Sequence, residues 1–199
     1  MKKTAILFMV ALFFCAISSF ADGGSICDAT AGNLVLNCGF ETGNFTHWTL
    51  GGNTEDTSVS TDAIYVHSGT YGASLGPVES DGTMSQTLTD SPGDYTFSFW
   101  LYSPGGTPND FSAYWDGTPV SSQTNSGYFP FTQYSFPVVG TGDDTISFSY
   151  RQDPSFWGLD DITVTGSSVP EPSSIMLLGT GLLGILLAAV SLKRNDLLA

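Results

Sequence analysis

Apolar and polar residues alternate along much of the middle of this chain with the period of two that marks strands half-buried on a sheet. The clearest run is Asp94 to Tyr102: Tyr95, Phe97, Phe99 and Leu101 fall on one face, and Thr96, Ser98, Trp100 and Tyr102 on the other. Thr83 to Leu88 places Met84, Gln86 and Leu88 together, Thr145 to Tyr150 pairs Ile146 with Phe148, and Gly158 to Thr165 sets Ile162 and Val164 against Thr163 and Thr165. Phe111 to Trp115 and Tyr128 to Val139 add two strands, and Asn33 to Asn37, Phe45 to Leu50 and Ile64 to His67 are shorter candidates. Turn clusters separate them: Gly51-Gly52-Asn53, Ser91-Pro92-Gly93, Ser103-Pro104-Gly105-Gly106 and Gly140-Thr141-Gly142-Asp143. No long 3.6-residue period lies between the termini. About eight or nine short strands with this punctuation predict an all-β sandwich of the jelly-roll type, though not its strand order.

The two ends carry a different pattern. Lys2 and Lys3 precede the apolar stretch Ala5 to Ile17, and Ser19-Phe20-Ala21 offers small residues at the −3 and −1 positions. This is the pattern of a secretory signal peptide cleaved after Ala21, the alternative being an uncleaved anchor helix. Residues 175–192 contain no charge. At about 1.5 Å per residue such a helix spans about 27 Å, close to the hydrocarbon thickness, so one C-terminal transmembrane helix is expected. Lys193 and Arg194 follow it and set an outside-to-inside orientation. Residues 22–168 remain between the ends, a length common for one domain and enough to bury a core.

Val169-Pro170-Glu171-Pro172-Ser173, the hydrophobic helix and Lys193-Arg194 together closely resemble a PEP-CTERM sorting tail, over residues 169–195. The resemblance implies an exported bacterial surface protein, held in the inner membrane before processing by an exosortase-type enzyme, and tied to exopolysaccharide and biofilm. It also makes Pro170, Glu171 and Pro172 the recognition element. Two prolines around Glu171 do hold an extended, helix-refusing segment that a protease can read. An ordinary linker before a permanent anchor is the alternative.

Charge narrows the partners. Residues 22–168 hold 17 acids against the single base Arg151. A nucleic-acid binder needs a basic footprint and is excluded, and because anionic lipid attracts basic surfaces the charge also argues against peripheral lipid binding by the folded part. Cysteine usage fits export. Cys15 leaves with the leader, and Cys27 and Cys38 remain as an even pair in an oxidising compartment, where a disulfide is expected.

Two motifs bracket the domain: Asn37-Cys38-Gly39-Phe40-Glu41-Thr42-Gly43 near its start and Trp157-Gly158-Leu159-Asp160-Asp161-Ile162-Thr163-Val164 at its end. With Arg151-Gln152-Asp153-Pro154-Ser155-Phe156-Trp157, they resemble the galactose-binding-like jelly roll that includes several carbohydrate-binding modules. That resemblance implies a structural calcium ion where the two ends meet, with Glu41 and Asp160 as side-chain ligands. The residues agree in one respect. Asp160 shares strand parity with Ile162 and Val164, and an inward carboxylate is costly unless paired or metal-bound. Calcium takes carboxylate and carbonyl oxygens. A pair with Arg151, or a strand-start cap, is the alternative. Asp161, of opposite parity, is expected to face solvent, and Asp143-Asp144 to be a solvated turn.

Sugars stack on flat aromatic faces beside a few exact polar groups. Trp100, Tyr102, Tyr114 and Trp115 lie on what read as two neighbouring strands and are the candidate glycan contacts, Tyr128, Tyr134 and Trp157 are further aromatic candidates, and Asn109, Asp110 and Gln133 are polar neighbours. Aromatic residues also fill sandwich cores, so exposure decides between platform and core. Glycan binding predicts at least two exposed rings on one face; a structural or adhesive protein predicts buried rings and a Ser/Thr-rich surface. An enzyme is disfavoured. His47 and His67 lack zinc-site spacing, no Gly-x-Ser-x-Gly elbow occurs, and no paired carboxylate arrangement can be named.

Overall fold

The computed structural model describes residues 24–153 and 155–166. The leader, the sorting residues Pro170, Glu171 and Pro172, and the hydrophobic stretch 175–192 lie outside the described residues. Among the described residues no helix is long and apolar enough to cross a membrane.

Ten strands follow one another: β1 (Thr49–Gly52), β2 (Thr57–Ser60), β3 (Gly72–Leu75), β4 (Gly82–Thr87), β5 (Gly93–Pro104), β6 (Asn109–Trp115), β7 (Thr118–Thr124), β8 (Tyr128–Gly140), β9 (Thr145–Gln152) and β10 (Trp157–Gly166). They form two five-stranded sheets, β1-β4-β9-β6-β7 and β2-β3-β10-β5-β8. Every pairing is antiparallel. The all-β sandwich expected from the alternation is therefore the architecture observed.

The inward faces supply one aromatic core. Phe97, Phe99 and Leu101 of β5 meet Phe111 and Ala113 of β6 and Ile146 and Phe148 of β9, all essentially inaccessible. Phe99 and Phe148, from opposite sheets, stand edge to face with ring centroids 5.3 Å apart, the arrangement their quadrupoles favour. Trp157 packs on Phe111 at 5.7 Å. Before β1, Phe40 is fully buried and packs on Phe45 and Trp48, and Trp48 meets Phe148, so the Gly-Phe-Glu motif plugs the core.

Three strands escaped the pattern, and two expected ones do not form. β3 is Gly-Ala-Ser-Leu, buried along its whole length between β2 and β10; with both faces covered it has no alternation to show. β2 and β7 are short and polar and lie at sheet edges. Ile64 to His67 is a turn region. Asn33 to Asn37 is irregular because the Asn33 side chain does the work of a ladder: its amide donates to the Cys27 and Ile162 carbonyls, and its Oδ1 accepts from Val35 and Val164.

Asp143 is exposed, but Asp144, expected in the same solvated turn, is buried. Its carboxylate accepts from Thr141 N at 2.6 Å, Thr141 Oγ1 at 2.9 Å and Gly142 N at 3.2 Å. Burial opposes its charge, yet hydrogen bonds with the Asp116 and Asp90 carboxyls and with Thr141 hold its pKa well below the usual carboxylate range.

Candidate functional site

The two sheets present different outer faces. On the first, cross-strand register puts hydroxyls side by side. One row runs Thr83, Ser149, Ser112, Ser122, and the next runs Thr49, Ser85, Ser147, Tyr114. Partners across an antiparallel pair share a face, and none of these eight residues is buried. Hydroxyls touch across strands, Thr87 Oγ1 to Thr145 Oγ1 at 3.1 Å and Ser112 Oγ to Ser122 Oγ at 3.2 Å. The two rows carry no charge. Arg151 and Asp110 lie opposite each other in the adjoining row, where the Ser149 hydroxyl donates to Asp81 Oδ2 at 3.1 Å, and Arg151 is engaged by Asp153 through two bonds of 2.7 and 2.6 Å.

The outer face of the second sheet is covered over its centre. Trp100 of β5 is opposite Asp160 of β10 on one side and Gln133 of β8 on the other. The His67 imidazole lies flat on the Trp100 ring, with centroids 3.7 Å apart and planes 16° apart. Phe131 is 5.4 Å from His67 and 5.8 Å from Tyr102. Tyr65 and Tyr128 stand edge-on to Tyr102, and Tyr128 is exposed. Gly158 permits this layer, because a Cβ there would meet Phe131 at 3.1 Å and Tyr102 at 3.2 Å. These rings form a satellite cluster with the segment that carries Tyr65 and His67, in which Tyr102 is buried, Trp100 and Phe131 are half-buried and Tyr128 stands exposed.

Under that segment lie the acids singled out in the sequence. Asp160 Oδ2 accepts from His67 N at 2.8 Å and Ser68 N at 3.2 Å, and its Oδ1 accepts from Asp161 N at 2.7 Å. Asp161 Oδ1 accepts from Cys27 N at 3.3 Å, while its Oδ2 meets His67 Nδ1 at 2.6 Å and Ser68 Oγ at 2.7 Å. Glu41 accepts from Thr70 N and Tyr71 N at 3.0 to 3.2 Å. Burial, then the neighbouring Asp161 charge, pushes the Asp160 pKa up to about 8. The Cys27–Cys38 disulfide forms as expected and ties the adjoining N-terminal segment, whose Cys38 carbonyl accepts from Ile162 N.

Two expectations about these acids are corrected by a bulge in β10, where the register against β5 shifts between Asp160 and Thr163. Leu159 and Ile162 both point into the core, so Asp160 and Asp161 both project away from it. Asp160 therefore does not share the parity of Ile162. Asp161 does not face solvent but is 2 % exposed beneath the covering segment. Nor does Asp160 pair with Arg151, which belongs to Asp153.

Glu41 and Asp160 grip opposite ends of the 67–71 segment through its amides. Calcium needs oxygen donors converging on one point, whereas these carboxylates converge on N–H groups, so the arrangement does not fit a calcium ion. Among the described residues, Cys27, Asp28 and Cys38 form the group of three His, Cys, Asp or Glu side chains close enough to share a metal, and the two sulfurs are already joined to each other.

The four glycan-contact candidates are not brought together. β5 and β6 belong to opposite sheets, so Trp100 and Tyr102 lie on one outer face and Tyr114 on the other. Trp115 is a core residue packed on Phe97, with its Nε1 donating to Val139 O at 3.1 Å. Tyr102 is 7 % exposed, and Trp100 has His67 against it. Tyr114 is half-buried on the outer face of the first sheet, and Trp100, equally half-buried, is on that of the second. Asn109, Asp110 and Gln133 are likewise dispersed: Asn109 is buried, with its side chain bonded to the Gly106 and Ser126 backbone, and Gln133 lies opposite Trp100. Sequence reading missed His67 and Ser68, whose roles arise from contacts more than 90 residues away.

A carbohydrate binding domain family matches residues 32–156, and the PEP-CTERM protein-sorting motif matches residues 168–194. No curated protein matches the chain. Among solved structures, TmCBM61 in complex with beta-1,4-galactotriose is similar at 23 % identity and TM-score 0.58, covering 68 % of this chain and 99 % of that one. The enzymatically active domain of bacteriophage CBA120 tailspike protein 4 is similar at 14 % identity and TM-score 0.51, covering 68 % of this chain but 21 % of that one. The K3 cleaved adhesin domain of Lys-gingipain from Porphyromonas gingivalis w83 is similar at 18 % identity and TM-score 0.51, covering 66 % of this chain and 99 % of that one. At these identities the structures show a shared fold.

Proposed function

Because the chain belongs to the carbohydrate binding domain family over residues 32–156 and carries a PEP-CTERM protein-sorting motif, we propose that it is a non-catalytic surface or matrix protein that holds exopolysaccharide against the open face of its first sheet. The leader exports it. The 175–192 helix holds it in the inner membrane until an exosortase-type enzyme reads Pro170-Glu171-Pro172, after which the β-sandwich resides at the cell surface or in the matrix.

The observation that carries the reading is the half-buried ring of Tyr114 set among hydroxyl rows on the outer face of the first sheet. An aromatic ring offers a sugar its apolar face, and serine and threonine hydroxyls exchange hydrogen bonds with a polyol at little desolvation cost. The same face favours a second reading, a structural or adhesive protein using protein contacts, because it shows one open ring and not the two a sugar platform ordinarily needs.

Affinity electrophoresis of the exported protein in gels containing neutral and acidic polysaccharides separates the two. Retardation by a polysaccharide that Tyr114→Ala abolishes and Trp100→Ala preserves supports glycan binding at this face. Unchanged mobility in every gel supports the protein-contact reading.

A further inference from the structure

We propose that the Asp160–Asp161–Glu41 cluster is a metal-free clamp, in which His67 and the backbone amides of residues 67–71 do the joining that a bound cation would otherwise do. The proposal is independent of where a glycan binds.

The donors are what carries it. Four amides of the covering segment, those of His67, Ser68, Thr70 and Tyr71, point at carboxylate oxygens of Asp160 or Glu41, and Cys27 N and Asp161 N point at two more. The Ser68 hydroxyl and the His67 ring meet Asp161 Oδ2. A cation bound to Asp160 Oδ2 or Glu41 Oε1 would lie against amide hydrogens and would have to displace them. Gly69 closes the remaining space. It has a φ of +76°, and a Cβ built on it would overlap the Glu41 carboxylate. The segment thus packs directly on the acid, with no room for a larger residue between them. Arg151, the one Lys or Arg among the described residues, is held by Asp153. His67 is accordingly the side chain that answers Asp161, and the ring of Trp100 fixes its plane from the other side. The clamp joins three distant parts of the chain: the disulfide-tied N-terminal segment through Cys27, the 67–71 segment, and the β10 bulge.

Thermal unfolding and calcium calorimetry of the exported protein test this. A ligand that binds the folded state raises its midpoint by mass action. The expected result is a wild-type midpoint that moves by less than about 1 °C between chelator and millimolar calcium, no saturable heat of calcium binding, and a loss of about 4–8 °C in His67→Ala in either buffer. Should His67→Ala fail to fold, His67→Gln retains a side-chain donor and is expected to show a smaller loss, again insensitive to calcium. A calcium-dependent rise of more than about 4 °C, or a saturable calorimetric isotherm for the wild type, overturns the proposal. So does a His67→Ala variant as stable as the wild type. None of these readouts involves a polysaccharide, so failure here leaves the Tyr114 face untouched.

Discussion

Tyr114 and Trp115 are neighbours in the chain but lie on opposite sides of one sheet. Tyr114 stands opposite Ser147 on the open face, while Trp115 stands opposite Ile146 in the core and donates from Nε1 to Val139 O at 3.1 Å. Trp115→Ala therefore removes a buried indole with its hydrogen bond, and is expected to cost about 3–5 kcal/mol. Tyr114→Ala removes a half-exposed ring and is expected to cost no more than about 1 kcal/mol. Urea unfolding of the two variants measures the contrast. A Tyr114 variant as destabilised as the Trp115 one would mean that the open face is covered.

The Cys27–Cys38 bridge spans 11 positions, and loop-closure reasoning assigns such a bridge about 3 kcal/mol. Its effect extends past the loop, since Cys27 N holds Asp161 and the Cys38 carbonyl holds Ile162 N. Replacing both cysteines with serine is expected to lower the unfolding midpoint by about 10 °C. Hydrogen exchange should quicken at the amides of residues 27, 67, 68 and 162 ahead of those of β5. Uniform quickening would show that the bridge acts on the unfolded chain alone.

The fold was legible where one face of a strand meets solvent and the other meets the core. The alternation in β4, β6 and β9 states both the strand and its orientation, and in β5 it states the strand although its outer face is partly covered. It failed for β3, which is buried on both faces, and for β7, whose edge position needs little apolar surface. The candidate site was less legible because parity carries information only while the register is regular. One bulge in β10 turned Asp160 and Asp161 to the same side, and no local signal in Leu-Asp-Asp-Ile marks it. The left-handed φ of 48° at Asp161 is visible only in three dimensions. The strand run at Trp100 and Tyr102 was read correctly, but sheet membership, which separates them from Tyr114, is a property of the topology.

Gly69 offers a test of how tightly the covering segment is packed. Its left-handed backbone and the adjacent Glu41 carboxylate both exclude a side chain. Gly69→Ala is expected to destabilise by more than about 1 kcal/mol, whereas Gly117→Ala, also at positive φ (+72°) but with nothing within 4 Å of its Cβ, reports the backbone penalty alone. Equal losses in the two, measured by urea unfolding, would show that the Glu41 contact contributes nothing.

Asp160 makes stability depend on pH with a sign that can be worked out. Burial and the Asp161 charge raise its folded pKa to about 8, while the unfolded chain titrates near ~3.9. Between those two values the folded state holds a proton that the unfolded state has released, so raising the pH favours unfolding. The stabilisation from this group is complete below the unfolded pKa and is lost as pH rises through about 8. Most other carboxylates have already ionised in both states by pH ~6, so a fall in the unfolding midpoint between pH ~6 and ~9 is set apart from them, and a comparison with a variant assigns it, since histidines change charge in this range too. Asp160→Asn removes the titrating group while keeping one acceptor oxygen for the His67 and Ser68 amides, and is expected to flatten that slope. Whatever slope survives in Asp160→Asn belongs to other groups. A variant whose midpoint falls as steeply as the wild type's would show that Asp160 is ionised throughout and that the amides around it, together with His67, suffice to hold a buried charge.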